Sequence, residues 1–336
     1  MYNFDYCSPA TLGYTNLISR FFSHHKDDQL GLAIVLMLCA LVCLSLQDGL
    51  IKIISVETTL WQLQFYRALL NIALVWLIAR KLMPGMSLKP KRPAIVAMRS
   101  LFQVGALTLF FGGAPFLTLA QMAGGLYTFP LFVGLFGFLL GEPVGPRRVI
   151  AIAAGFFGTL LVLRPDTDSF SLINLMPAGA GFCYALFVIT TRRLCRDETP
   201  VALVLGANIG IASIGFLGLL LVPFMPISDS MRNAHAFLFT TNAPWVTLVV
   251  VIIVSCALLN TIGNLCLSKA YQSADSSFLA PIDYSYLLFA TGWGILLFND
   301  YPTLPTTLGL LLIAGAGIFV AWREHVLRNT AETAST

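Results

Sequence analysis

Long apolar runs separated by short polar segments fill the chain from residue 30 to residue 322. Within each run the apolar residues are continuous and do not alternate with polar ones, which favours helices over strands. Each run is close to the roughly 20 residues that a helix needs to cross the hydrocarbon of a bilayer. The pattern therefore predicts ten membrane-spanning helices, at residues 30–51, 60–79, 93–113, 118–140, 147–164, 174–191, 200–223, 244–266, 276–298 and 304–322.

The two ends of the chain lie outside this pattern. Residues 1–29 are polar and aromatic and contain no apolar core of the kind found in a cleavable signal. Residues 325–336 are polar, and the sequence after Arg328 predicts a disordered tail. Both ends are therefore expected to be solvated segments beside the membrane domain.

The composition also indicates a membrane protein. Hydrophobic residues make up 57% of the 336 residues, charged residues only 11%, and the mean hydropathy is +0.81. A soluble domain is typically about 25% charged, so this chain has too little polar surface to cover itself in water. Because lipid offers the backbone no hydrogen-bond partners, only helices or a closed barrel span a bilayer. The continuous runs therefore predict an all-α integral membrane protein.

The basic residues predict the orientation in the membrane. If the N-terminus is cytoplasmic, 15 of the 20 basic residues fall in cytoplasmic segments. Only Lys52, Arg164 and Arg232 fall on the other side, and Arg67 and Arg99 lie within helices. Cytoplasmic loops usually carry the excess of Lys and Arg, so both termini are expected in the cytoplasm and the number of spans is expected to be even. We interpret these charges as topology signals and predict no nucleic-acid partner.

The chain contains an internal duplication. Residues 134–142, a Pro-containing turn and residues 150–164 resemble residues 292–300, a second Pro-containing turn and residues 310–323, with an offset of about 158 residues. Two five-helix repeats follow, at residues 30–165 and 174–324. Because five is odd, the second repeat enters the membrane from the opposite side, and inverted repeats are typical of secondary transporters. The alternative is that any apolar helices rich in Gly and Ala look alike.

The chain resembles the drug/metabolite transporter superfamily, in particular its EamA-type members with ten helices. The resemblance covers residues 30–324 and departs from the family at two places. Asn299-Asp300 stands where the family usually has Gly-Glu, and Asp283 stands where Glu is common. The matching residues are Gln64, Arg67, Arg99, Pro130, Gly141-Glu142, Gly155 and Gly158 in the first half, and Ala280-Pro281, Asp283-Tyr284, Gly315 and Gly317 in the second.

The resemblance implies a secondary transporter that moves a small organic metabolite across the inner (cytoplasmic) membrane by alternating access. Amino acids, vitamins, nucleosides and solutes like S-adenosylmethionine are the substrate classes it implies. The expected partners are this solute and the lipid bilayer, with a proton as candidate coupling ion and a second copy of the chain as candidate homodimer partner. Helices 1, 3, 4, 6, 8 and 9 are expected to line a central polar pocket, and helices 5 and 10 to pack against each other.

Two other functions remain alternatives at this point, an intramembrane lipid-modifying enzyme and a channel. An enzyme would need a catalytic set, but the four histidines, at positions 24, 25, 235 and 325, fall in predicted loops or tails. The seven cysteines show no metal-binding spacing, and no GxxxxGK[ST] motif for ATP phosphates occurs. We therefore predict no enzyme activity, no metal and no cofactor.

Charged side chains inside a bilayer are functional candidates by default, because each costs about 2.5–3.5 kcal/mol on insertion scales. Asp48 and Lys52 are one helical turn apart and can pair with each other, either in the site or as a structural pair at the interface. Arg67, with Gln64 on the same face, suits a carboxylate or phosphate; alternatively, it locks a neighbouring helix in place. The remaining polar candidates have the same two alternatives: each either binds the solute or has a structural role.

Arg99, with Gln103 one turn further on, either lines the cavity or meets the cytoplasmic headgroups. Asp283 follows Pro281, which interrupts regular backbone pairing, so its acid could alternate between holding a proton and pairing with a cation; the alternative is a pair with Lys269. Tyrosine rings could stack on a planar solute, and the amides of helix 8 could bind it or join helices. The predicted substrate-binding residues are Asp48, Lys52, Gln64, Arg67, Arg99, Gln103, Tyr127, Tyr184, Asn260, Asn264, Asp283 and Tyr284.

Overall fold

A computed structural model describes residues 29–82, 87–139, 146–163, 172–195, 197–273, 279 and 282–333. Within these residues the regular structure is entirely helical, which confirms the all-α prediction. The helices of the first half are α1 (Gln29–Ile54), α2 (Leu60–Leu82), α3 (Pro93–Gly112), α4 (Leu119–Leu126), α5 (Phe129–Leu139) and α6 (Pro146–Leu163).

The second half begins after a short 3-10 helix at Leu172–Leu175. Two small helices lie in the long connection between its second and third long helices. The helices of this half are α7 (Met176–Leu194), α8 (Pro200–Leu221), α9 (Asp229–Ala234), α10 (Ala236–Phe239), α11 (Thr247–Ser273), α12 (Ser285–Phe298) and α13 (Leu304–Thr333).

Seven helical segments in the described part of the chain are long and apolar enough to cross a membrane, and one of them joins α4 to α5. Three shorter apolar segments lie in α6, α12 and α13, at Ala153–Leu163, Ser285–Phe298 and Leu304–Phe319. The protein is therefore a multi-pass helical membrane protein. The predicted N-terminal segment and the Gly141-Glu142 and Ala280-Pro281 motifs lie outside the described residues.

The prediction of one continuous helix at residues 118–140 is wrong. The structure breaks it at Tyr127 and Thr128 into α4 and α5. The Thr128 hydroxyl donates to the Gly125 carbonyl at 2.6 Å, and Pro130 in the first turn of α5 has no N–H to continue the helical ladder. A threonine that bonds back to the backbone and a following proline together explain the break.

The prediction of a disordered tail after Arg328 is also wrong, because α13 continues to Thr333. The sequence of this last part contains Ala, Glu and Arg, which are good helix formers in water. Hydropathy alone ends a helix where its apolar run ends, whereas the backbone ladder continues as long as the local propensity supports it.

The long helices pack in pairs that bring the two halves of the chain together. The most extensive pairs are α1 with α11, α6 with α13, α2 with α8, and α3 with α7. The pairing of α6 with α13 confirms the sequence expectation for helices 5 and 10. At this contact the backbones nearly touch, since a Cβ atom on Gly158 would lie 2.8 Å from the Gly309 carbonyl oxygen.

Small residues permit similar contact elsewhere. The pair Gly206 and Gly210 on α8 faces α3, where added Cβ atoms would lie 2.7 Å from Val96 and 3.1 Å from Val104. This confirms the close helix packing that a Gly-x-x-x-Gly spacing predicts. The two glycines thus act as packing positions between α8 and α3.

Candidate functional site

Asp48 lies at the centre of a buried polar cluster near the C-terminal end of α1, and its side chain is only 7% exposed. Its Oδ2 atom accepts a hydrogen bond from the Tyr286 hydroxyl of α12. Its Oδ1 atom accepts a second from Gln47 Nε2 at 3.2 Å. These donors matter because an uncompensated carboxylate is very unfavourable in a low-dielectric interior. Asp48 therefore joins α1 to α12 through a polar contact.

Lys52 does not pair with Asp48, contrary to one of the sequence expectations. Its Nζ atom donates to Asp300 Oδ2 and to the Leu117 carbonyl oxygen, both at 2.9 Å. The turn before α4 and the residues after α12 bring these acceptors to the end of α1, while Asp48 lies one turn deeper among other donors. Lys52–Asp300 is the one ion pair found within the described ranges.

A line of five aromatic rings begins at the Asp48 cluster and crosses the core; we call it the aromatic row. The ring centroids of successive members lie 5.1 Å, 5.9 Å, 4.9 Å and 5.2 Å apart, and the first two rings are stacked. At its far end the Arg99 guanidinium of α3 lies 4.3 Å from the last ring centroid. The row consists of Tyr286, Tyr127, Phe129, Tyr184 and Phe187.

The aromatic row depends on the break between α4 and α5. Tyr127 lies in the break and Phe129 is the first residue of α5, so the interruption of the helix places both rings in the row. On the facing helix α7, Gly181 permits the approach, since a Cβ atom there would meet the Thr128 hydroxyl and the Gly125 carbonyl oxygen. The row therefore connects α12, the α4–α5 break and α7, with Asp48 on α1 and Arg99 on α3 at its ends.

Asp283 precedes α12 and contacts the aromatic row. Its carbonyl oxygen accepts a hydrogen bond from the Tyr127 hydroxyl at 3.1 Å, and its carboxyl group lies within electrostatic range of Tyr184 and Tyr286. Tyr284 packs edge-on against Tyr127 with ring centroids 5.5 Å apart. The structure therefore brings the predicted residues Asp48, Tyr127, Tyr184, Asp283 and Tyr284 together around one row.

Arg67 and Gln64 are buried on α2, near the Asp48 cluster. Arg67 is 3% exposed, its guanidinium lies 4.9 Å from the Phe111 ring centroid, and it is within electrostatic range of Asp48. Its Nε atom has no hydrogen-bond partner among the described residues. Gln64 Nε2 donates to the Thr108 hydroxyl of α3 at 3.1 Å, so Gln64 joins two helices while Arg67 keeps unused donor capacity.

Arg99 joins three helices. Its Nε atom donates to the Thr191 hydroxyl of α7 and its Nη1 atom to the Leu203 carbonyl oxygen of α8, both at 3.0 Å. It is 6% exposed, so it does not meet the headgroups, which was one of its two predicted environments. Gln103, one turn further along α3, has a buried Oε1 atom without a hydrogen-bond partner.

Asn260 and Asn264 on α11 do not join the aromatic row through any observed contact. The Asn264 side chain is exposed, and its Nδ2 atom donates to the Asn260 carbonyl oxygen of the same helix at 2.8 Å. An amide that bonds to its own helix satisfies itself locally. The Asn264 amide is therefore bonded within its own helix, and substrate binding by Asn260 and Asn264 stays a prediction.

The sequence prediction missed Gln47, Phe129 and Phe187. Phe187 follows Tyr184 by three positions on α7, a spacing that places two rings on one helix face and could have identified it. Gln47 carries no such signal, because its role depends on the side chain that tertiary packing brings to Asp48. Among the residues that the structure describes, no group of three or more His, Cys, Asp or Glu side chains is placed to hold a metal ion.

Comparison with known proteins points to transport. Residues 171–322 match the family described as the EamA-like transporter family. A riboflavin transporter of Vibrio cholerae is 29% identical over 200 residues, which cover 59% of this chain and 61% of that protein. The alignment therefore spans less than two thirds of that relative.

Other relatives align over more of their length. A riboflavin transporter of Rhizobium johnstonii is 27% identical over 76% of this chain and 87% of its own. An S-adenosylmethionine uptake transporter of Rickettsia prowazekii is 21% identical over 85% of this chain and 91% of its own. One solved crystal structure, 19% identical, superposes with a TM-score of 0.57 over 87% of this chain and 98% of that one, which shows a shared fold.

Proposed function

We propose that this chain is a member of the EamA-like transporter family and a secondary transporter that moves a small organic metabolite across the cytoplasmic membrane by alternating access. Relatives named as transporters of riboflavin and of S-adenosylmethionine support transport of a small metabolite over an enzyme function. The observation that carries the proposal is the aromatic row, a line of buried and half-buried rings with polar groups at both ends, where the two halves of the chain meet.

The proposed transporter has ten spans. The seven long apolar segments and the three shorter ones coincide with the ten runs predicted from the sequence. In this count α4 and α5 form one broken span, and α9 and α10 lie in a loop. Broken spans at the substrate site are typical of secondary transporters, and the break here carries Tyr127 of the aromatic row.

The contacts between helices support two related repeats. We let each helix of the first half correspond to one of the second half, in the order α1, α2, α3, α4–α5, α6 and α7, α8, α11, α12, α13. Exchanging corresponding helices then turns the α1–α11 pair into the α7–α3 pair. The α1–α12 contact becomes α7 with α4 and α5, and the α3–α8 contact becomes α11 with α2. The pairs α2–α8 and α6–α13 exchange into themselves. All of these contacts occur in the structure, and resemblance between apolar sequences alone would not produce them.

The loops pair in a way that supports inverted halves with both termini in the cytoplasm. The Glu198 carboxylate accepts from the backbone N–H groups of Lys91 and Arg92 at 2.8 and 2.7 Å, joining two loops that the charge pattern predicts to be cytoplasmic. At the opposite end, Trp61 Nε1 donates to the Leu238 carbonyl oxygen at 2.8 Å. Every one of these contacts joins segments predicted on the same side.

Transport in proteoliposomes tests the proposal. We expect purified protein to accumulate at least one radiolabelled solute from a panel of riboflavin, S-adenosylmethionine, amino acids and nucleosides above the level of empty liposomes. Saturation with solute concentration would distinguish a carrier from a channel. Chemical change of the lipid or solute without net movement would overturn the proposal in favour of an enzyme.

A proton is the coupling ion that we propose, with Asp283 as the residue that holds it. Asp283 is half-buried beside the row, and among the described residues the titratable groups around it are Tyr127, Tyr184, Tyr284 and Tyr286. A group that binds a proton differently in the two states lets a proton gradient bias them.

The Asp283→Asn substitution keeps the shape and removes the charge, so it is expected to flatten the dependence of uptake on an imposed pH gradient. Asp229→Asn, which changes an exposed acid of α9, is the control and should retain that dependence. Unchanged pH dependence in Asp283→Asn would contradict its role and leave Asp48 as the better candidate.

A further inference from the structure

Arg67 differs from the other arginine buried in the core. Both guanidinium groups lie over an aromatic ring and both residues are at least nine-tenths buried. Arg99 donates to two oxygen atoms of neighbouring helices. Arg67 donates to none within the residues that the structure describes, and its Nε atom is buried without a partner.

An arginine in this position needs an anion or an acceptor. The guanidinium stays charged because its protons are lost only in strongly basic solution, and a buried charge without partners is strongly destabilising. Arg67 begins about 10 Å into α2, counted from Leu60 at 1.5 Å per residue, which is too deep for its donors to reach the headgroup region easily. The Phe111 ring offers it a π face but no lone pair for its N–H groups.

The groups around Arg67 indicate which kind of ligand group could pair with it. Asp48 and Cys256 lie within electrostatic range of Arg67. Both also contact Gln47. The Gln47 side chain donates to Asp48, and the Gln47 carbonyl oxygen accepts from the Cys256 thiol at 3.7 Å. The Gln47 Oε1 atom is itself buried without a partner. Unused donors of Arg67 on α2 and an unused acceptor of Gln47 on α1 thus lie in the surroundings of the same carboxylate, Asp48.

We propose that Arg67 binds a carboxylate of the transported solute, while Gln47 Oε1 accepts a hydrogen bond from a donor group next to that carboxylate. The inference rests on the proposed transport function and names a substrate class for it. A carboxylate matches the two-pronged guanidinium. A phosphate dianion fits less well, because Asp48 already offsets part of the single positive charge.

The inferred class is therefore a monocarboxylic solute with an adjacent N–H or O–H donor. The stacked rings of Tyr286 and Tyr127 begin beside Asp48 and can receive an apolar or planar remainder of the same solute. This arrangement places the charged head of the solute between α1 and α2 and its body along the aromatic row.

Binding to the purified full-length protein tests the inference with matched pairs of ligands. The pairs are S-adenosylmethionine with its decarboxylated analogue, amino acids with their methyl esters, and riboflavin with riboflavin 5′-phosphate. We expect at least one acid to bind about 30-fold or more tightly than its partner without the carboxylate, since removing one member of a buried charge pair has an effect of that size. No variant is needed for this comparison.

Variants then assign the preference to a residue. Arg67→Gln is expected to abolish the preference for the acid, and Arg67→Lys to retain part of it because it keeps the charge. The matched control is Arg80→Gln, which changes an exposed arginine of the same helix whose guanidinium lies 4.3 Å from the Trp76 ring centroid, and which should leave the acid preference intact. Full acid preference in Arg67→Gln would overturn the inference and make Arg67 a structural residue.

The outcomes separate this inference from the proposed function. Saturable uptake of riboflavin with no preference for any acid would overturn the carboxylate site while leaving transport in place. Preference for riboflavin 5′-phosphate over every carboxylate would overturn the choice of a monocarboxylate. Absence of uptake and of binding for every solute of the panel would overturn both.

Discussion

Single side chains decide how the buried polar groups of this membrane protein are satisfied. The Tyr286 hydroxyl is one of two groups that donate to the Asp48 carboxylate, and both residues are buried. A hydrogen bond to a charged group contributes about 1.5–3 kcal/mol. The stacking of the Tyr286 ring on Tyr127 is a separate contribution that does not need the hydroxyl.

Tyr286→Phe separates these two contributions. The variant keeps the ring and leaves Asp48 with one donor fewer, so we expect the free energy of unfolding to fall by about 1.5–3 kcal/mol. Denaturant unfolding in detergent micelles measures this change. Tyr66→Phe is the matched control, because the Tyr66 ring is 37% exposed and surface substitutions usually stay within about 0.5 kcal/mol. An equal effect of both variants would show that the Asp48 contact contributes nothing specific.

The sequence could identify the buried charged residues but not their partners. Asp48, Arg67 and Arg99 stand out in any apolar run, since charges there are rare. Their partners come from distant segments: Asp48 meets Tyr286, and Arg99 meets Thr191 and the Leu203 carbonyl. The predicted pair of Lys52 with Asp48 does not form. Local spacing shows which side chains share a helix face, but it does not show which acceptor the fold brings nearer.

Whole helices follow the hydrophobic pattern closely, and departures occur where backbone chemistry decides. The predicted starts at residues 60, 93, 200 and 304 coincide with the observed ones because a Pro or an end of a loop marks each start. The fourth predicted helix breaks at Tyr127 and Thr128, which hydropathy cannot reveal, since the helices on both sides of the break are apolar. Asn299 adopts a left-handed conformation with φ 55° at the end of α12.

The conformation of Asn299 explains one departure from the pattern of the family that the chain resembles. The family usually has Gly at this position, and a left-handed residue after a helix is favourable for Gly and tolerated by Asn. The next residue, Asp300, keeps an acid that Lys52 uses. The substitution of Asn-Asp for Gly-Glu therefore preserves both the helix end and the ion pair.

Packing between α6 and α13 gives a prediction at the scale of elements. A Cβ atom at Gly158 would lie 2.8 Å from the Gly309 carbonyl oxygen and 2.9 Å from Leu312, and a backbone atom cannot move aside easily. Gly158→Ala is therefore expected to destabilise the protein by about 1–3 kcal/mol, as overpacking does. The thermal midpoint in detergent, followed by loss of the monodisperse species, measures the effect.

Gly315→Ala on α13 is the matched control for this prediction. Apart from the backbone of α13 and the adjacent residues, no atom of the described residues lies within 4 Å of a Cβ atom placed there. Ala also lowers the entropy of the unfolded chain relative to Gly. This variant should be neutral or slightly more stable. If Gly158→Ala were as stable as Gly315→Ala, the close backbone contact between α6 and α13 would not exist in the folded protein.

At the scale of the whole molecule, the end that we propose to face away from the cytoplasm is closed. Lys52 at the end of α1 binds Asp300 and the Leu117 carbonyl, and so holds three loops together. The connection that contains α9 and α10 covers the same end, where Phe237 is 4% exposed within the largest apolar cluster. Under alternating access this end must open, and the ion pair is then a contact of the closed state that the open state lacks.

Breaking the Lys52–Asp300 pair should therefore shift the protein toward the state open on that side. The two side chains are 14% and 28% exposed, and partly exposed ion pairs contribute about 1 kcal/mol or less. A shift of that size changes the ratio of open to closed states up to about fivefold.

Native Cys256 is a suitable reporter, because it is fully buried and lies against Gln47. With the other six cysteines replaced, Asp300→Asn and Lys52→Gln should each increase the rate at which an impermeant thiol reagent labels Cys256 from outside the cell. Asp229→Asn, another acid of the same end but without this contact, should leave the rate unchanged, and the double exchange Lys52→Asp with Asp300→Lys should restore protection. Equal labelling in all of these variants would show that the pair does not hold this end closed, and the covering segment around Phe237 would then be the closure to test.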